Sequence, residues 1–178
     1  MRYLAVAALA VFWLSMGCAA PGVAPGEQGQ PPAIEAFWAP EAVRENTYWR
    51  LYLKVADADC DLAALYARVH QLGRGGFPVQ QFNLGGSDRC GASGQITMWL
   101  GPEFLWSARL TVAVWAKDAA GGNSRRLELP LLVDGPPETV PPEEFRGPEF
   151  ERTLGTISAR PRSPIFDGGR PGIRGFGR

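Results

Sequence analysis

From Tyr48 to Ala56 apolar and polar positions alternate. Trp49, Leu51, Leu53 and Val55 fall on one side, and Arg50, Tyr52 and Lys54 on the other. Leu65, Ala67 and Val69 repeat the pattern against Tyr66, Arg68 and His70. Ile96, Met98 and Leu100 do so again, followed by Leu110, Val112, Val114 and Ala116, and by Leu127, Leu129, Leu131 and Val133. A period of two places each apolar set on one face of a β-strand. Shorter strands are predicted at residues 34–38 and 79–84. Each strand then has an inner and an outer face, as in an antiparallel sandwich. Residues 62–72 read two ways. Their Ala and Leu content favours a helix, whereas the Leu65/Ala67/Val69 spacing and the neighbouring strands favour a strand, which is the reading adopted. The expectation is an all-β chain with a single sandwich of about seven strands over residues 33–135.

The two ends follow other patterns. Behind Arg2, residues 3–16 are apolar apart from Ser15, too short a run to span a bilayer comfortably but suited to a signal peptide. Gly17, Cys18, Ala19 and Ala20 follow. The stretch Leu14-Ser15-Met16-Gly17-Cys18 resembles bacterial lipoprotein signals, although Ser15 stands where that family prefers Leu, Val or Ile. The resemblance implies removal of residues 1–17, lipidation of Cys18 and anchoring on the periplasmic face of a Gram-negative outer membrane. Ordinary cleavage after Ala20, releasing a soluble periplasmic or secreted protein, is the alternative. Residues 18–32 hold Pro, Gly, Gln and Ala and read as a flexible tether. Residues 136–178 are rich in Pro, Gly and charge, acidic to Glu151 and then basic with six Arg, and are expected to be disordered. Leu154, Ile157, Ile165, Phe166, Ile173 and Phe176, spaced among Arg and Gly, suit an anchor for a partner protein or for an anionic envelope polymer or lipid, although a solvated tail is the reading adopted.

Within the sandwich, Val55-Ala56-Asp57-Ala58-Asp59-Cys60-Asp61-Leu62 is similar to the Asp-rich corner between the second and third strands of bacterial immunoglobulin-like, cadherin-like and fibronectin-type-III-like domains. Residues 114–124, with Asp118, Gly121, Gly122, Asn123 and Ser124, resemble the hairpin before their last strand. That likeness implies the immunoglobulin-like fold and leaves function open.

Candidate chemistry is sparse. With Cys18 set aside, Cys60 and Cys90 remain and are expected to pair in an oxidising compartment. Strand order puts both at one end of the sandwich. Asp57, Asp59 and Asp61 form an Asp-x-Asp-x-Asp run, which Asp88 and Asp118 could join if the loops converge. These are calcium candidates, because hard cations need several converging oxygens. Against them stands the ordinary use of Asp, Asn and Gly in tight turns. His70 is the sole histidine, and no nucleophile-elbow pattern accompanies it. Gly73-Arg74-Gly75-Gly76 lacks the Lys-Ser/Thr of a phosphate cradle. Lys plus Arg equals Asp plus Glu at 18 each, which argues against a nucleic-acid binder. Tyr52, Tyr66, Trp99 and Trp115 are expected to point outward. Tyr66, Trp99, Trp115 and Asn123 are the binding candidates. The function expected is a non-catalytic envelope lipoprotein without a cofactor, displaying its module for protein–protein contact. A glycan- or calcium-binding loop end is the alternative.

Overall fold

The computed structural model describes residues 29–101, 108–133, 135 and 140–159. The signal segment, Cys18 and residues 160–178 lie outside them. Among the described residues ten strands form: β1 (Ala33–Trp38), β2 (Ala42–Val43), β3 (Thr47–Ala56), β4 (Leu62–Gln71), β5 (Gly75–Gly76), β6 (Gln80–Asn83), β7 (Gly91–Leu100), β8 (Arg109–Asp118), β9 (Leu127–Val133) and β10 (Thr153–Ile157). One sheet has the order β1-β3-β7-β10. The other runs β2-β9-β8-β4-β5, with β6 also paired to β4. This is an immunoglobulin-like β-sandwich in which β1 and β2, neighbours in the chain, serve opposite sheets.

The alternation of side chains builds the core. Trp49, Leu51, Leu53 and Val55 of β3 and Ile96, Met98 and Leu100 of β7 are buried. They face Leu65, Ala67 and Val69 of β4, Val112, Val114 and Ala116 of β8, and Leu129, Leu131 and Val133 of β9. The Trp49 indole N–H donates to the Pro40 carbonyl at 3.0 Å, so the largest core side chain leaves no polar atom stranded. Residues 62–71 are strand, paired with β8 in near-continuous register. Burial against two neighbours overrides the helix propensity of their Ala and Leu.

The C-terminal segment departs from expectation. Residues 140–159, read from composition as part of a disordered tail, are folded onto the sandwich. Two single-turn 3-10 segments, Glu143–Phe145 and Pro148–Phe150, bury Phe145 and Phe150. Phe150 packs edge-on to Tyr52 on the outer face of the four-stranded sheet, with ring centroids 6.5 Å apart. β10 then pairs parallel with β7, Ile157 lying opposite Met98, and buries Leu154 and Ile157 in the core. Two glycines permit this approach. A Cβ on Gly94 would sit 2.5 Å from the Arg152 carbonyl oxygen, and one on Gly155 would strike the Phe82 ring. A composition rich in Gly and Pro signals disorder only when the segment must bury itself; here the sandwich supplies the surface. The sandwich therefore extends past residue 135. At its other end, Pro32 of the expected tether is already buried and the Gln30 N–H is bonded to the Asp59 carboxylate.

Candidate functional site

β3 leaves the sandwich at Ala56, β4 begins at Leu62, β7 at Gly91, and β8 ends at Asp118, all at one end. Cys60, in the left-handed region at φ 59°, is disulfide-bonded to Cys90 across this end. Backbone bonds flank the bridge: Asp57 N–H to the Cys90 carbonyl and Leu62 N–H to the Arg89 carbonyl, both 3.0 Å. The hairpin after β8 is tied in by Ala119 N–H to the Asp61 carbonyl at 2.9 Å.

These ties bring Asp57, Asp61 and Asp118 together. One carboxylate oxygen from each lies within 4.8 Å of the other two. Asp57 and Asp118 are only 4% and 3% exposed. Each uses one oxygen for its own turn: Asp57 Oδ1 accepts from Asp59 N–H at 3.0 Å, and Asp118 Oδ1 from Gly122 N–H at 2.6 Å. Asp57 Oδ2, Asp61 Oδ1 and Asp118 Oδ2 are buried without a protein partner. Burial raises the Asp57 pKa above its ordinary value, and the charges of Asp61 and Asp118 add to the rise against the opposing backbone N–H groups of Asp59 and Asp61.

The other acids of the sequence reading go elsewhere. Asp59 turns outward to the Gln30 N–H, outside the cluster. Asp88 is buried in a salt bridge with Arg152 of the C-terminal segment, Oδ1 to Nη2 at 2.8 Å, and accepts from Gly85 N–H. Asn123 Nδ2 donates to the Gly121 carbonyl at 3.3 Å, within its own hairpin.

The aromatic candidates separate into two kinds. Tyr66 and Trp115 are register partners on β4 and β8 and stack at 5.5 Å with an interplanar angle of 11°. Arg126 lies 4.4 Å over the Trp115 ring. β8 runs between β4 and β9, so Tyr66 reaches the indole from one neighbouring strand and Arg126 from the residue that precedes the other. Such a cross-strand ladder supports the sheet. Trp99 is different. It pairs with Tyr48 at 4.9 Å, opposite it in register on β3, and the two remain 43% and 45% exposed. Tyr48 was not singled out from sequence, though it shares the parity of Tyr52. The pair stands at the end of the sandwich away from the disulfide, since β3 begins and β7 finishes there. The Tyr48–Trp99 pair thus shares no surface with the loop-end acids.

No family model and no curated protein matches the chain. Among solved structures it is similar to the CARDB domain of the PF1109 protein from Pyrococcus furiosus, solved in complex with di-metal ions. The identity is 12% and the TM-score 0.30, over 58% of this chain and 85% of that one. So loose a superposition carries nothing from that protein's metals to this chain.

Proposed function

We propose that this chain is a non-catalytic envelope lipoprotein, held by lipid on Cys18 at the outer membrane and facing the periplasm, whose sandwich presents the Tyr48–Trp99 pair to another envelope protein. The observation that carries this reading is the polarity of the module. The chain enters at the loop end, where Gln30 meets Asp59 and Ala33 pairs with Ala56. Tyr48 and Trp99 stand at the opposite end, the length of a ten-residue strand away, about 30 Å. A tether at one end and half-exposed aromatics on rigid paired strands at the other suit presentation away from a surface. Aromatic side chains of this kind dominate the energy of protein interfaces.

Several features favour a role without catalysis. His70 is exposed on the outer face of β4, opposite Thr111 in register. Cys60 and Cys90 are joined to each other. Stacking in the Tyr66–Trp115–Arg126 ladder weakens the case for a glycan platform, which would require an open ring face.

The test is photo-crosslinking in intact cells of the natural host. A benzophenone amino acid replaces Trp99, or Tyr66 as a control, in the full chain. Discrete adducts with an envelope protein at position 99 and none at 66 are expected. Adducts at 66 alone, or none at either position, would remove the reading. Metabolic labelling with an alkyne fatty acid, lost in Cys18→Ser, checks the anchor.

A further inference from the structure

Among the described residues, Asp57, Asp61 and Asp118 are the group of three acids whose ligand atoms converge, all within 4.8 Å. Acidic side chains crowd harmlessly on many surfaces, where water screens them. Here the setting differs. Asp57 and Asp118 are more than nine-tenths buried, and each retains an oxygen with no protein donor, as does Asp61. Buried carboxylate oxygens are otherwise satisfied by hydrogen bonds or paired with a cation. No Lys or Arg contributes a salt bridge to any of the three among the ion pairs of the described residues.

We infer that the loop end binds a divalent cation, calcium in preference to magnesium or zinc, through Asp57, Asp61 and Asp118. Two segments far apart in sequence supply the oxygens: the corner between β3 and β4 gives Asp57 and Asp61, and the end of β8 gives Asp118. Asp57 follows β3, Asp61 precedes β4 and Asp118 closes β8, so the ion ties both sheets at the end where the disulfide ties two loops. The donor set is oxygen only. That disfavours zinc, which takes imidazole and thiolate, because His70 is on the outer face of β4 and both cysteines are in the bridge. Calcium bonds of about 2.3–2.6 Å tolerate irregular geometry and accept carbonyls or water for the remaining positions. Magnesium needs closer, near-octahedral ligands at about 2.0–2.1 Å and dehydrates reluctantly. Three carboxylates also exceed the charge of one divalent ion, which favours tight retention. Asp59, central to the Asp-x-Asp-x-Asp run, takes no part, since its carboxylate faces Gln30. The site goes beyond the presentation reading and does not depend on it.

The test uses the mature full-length protein, stripped with a chelator and dialysed. Titration with calcium chloride should release or absorb heat at one site per chain, and the melting temperature should rise with calcium. Asp61→Asn and Asp118→Asn should each weaken binding at least tenfold. In the chelator these variants should melt at or above the wild-type temperature, because a like charge has been removed from the cluster. That opposite sign separates a lost ligand from a damaged fold. Asp59→Asn should bind as the wild type does. Absence of heat and of any shift in the wild type would overturn the inference. So would an undiminished calcium response in both Asp61→Asn and Asp118→Asn. An equal response to magnesium would overturn the assignment to calcium.

Discussion

The outer faces of the two sheets differ in what covers their outward aromatics. On the six-stranded sheet, Tyr66, Trp115 and Arg126 find one another across adjacent strands, in register. On the four-stranded sheet, Tyr52 meets its register partner Trp38 and is further covered by Phe150, nearly a hundred residues later, while Tyr48 and Trp99 pair but stay half exposed. The first face is satisfied by its own ladder, whereas the second borrows cover from the C-terminal segment and leaves one end open. Outward does not therefore mean exposed. What an outward side chain meets depends on whether a remote segment reaches it.

The sharpest way to break this comparison is to remove the borrowed cover. Phe150→Ala and Ile157→Ala should each lower unfolding stability by about 3 kcal/mol in urea denaturation, as for buried large-to-small changes. Losses under about 0.5 kcal/mol would mean that residues 140–159 contribute little to the fold. On the opposite face, Trp115→Ala should cost about 1 kcal/mol and Arg126→Ala about half of that, the scale of cross-strand and cation–π pairs. Double-mutant cycles between positions 66, 115 and 126 would show the coupling, which should be absent between 115 and 150.

The loop end adds a third case, in which both sheets deliver carboxylates that each keep one oxygen without a partner among the described residues. Asp57 has a folded pKa above its ordinary value of 3.8, from burial first and from Asp61 and Asp118 next. At pH values between these limits the folded state holds more protons than the unfolded one. In a chelating buffer the resulting penalty is fully present above the folded pKa. It is relieved as pH falls toward the ordinary value. Thermal melts from neutral to mildly acidic pH should show the gap between Asp57→Asn and the wild type closing on acidification. A gap independent of pH would assign the effect to packing. The smallest change belongs to Trp99: Trp99→Ala should move stability by no more than about 0.5 kcal/mol, because Trp99 is 43% exposed and its proposed partner is another molecule.

Much of the sandwich is readable along the chain. The parity of Trp49, Leu51, Leu53 and Val55, and of their counterparts in β4, β7, β8 and β9, assigns the inner face of each long strand, because strand geometry alone turns successive side chains apart. The Cys60–Cys90 bridge was legible because consecutive strands run up and down, which places both residues at one end. The acids were legible as a run, but membership of the cluster was not. Asp59 lies between Asp57 and Asp61 in sequence yet points away, while Asp118 joins them from β8. Only the packing of two sheets could decide that. The C-terminal segment was misread for the same reason. Its Phe145 and Phe150 touch each other, but with Leu154 and Ile157 they are too few to make a core of their own, and their remaining partners exist only once the four-stranded sheet has formed. Local backbone geometry determines which way a side chain faces; which groups meet it is set by contacts between distant parts of the chain.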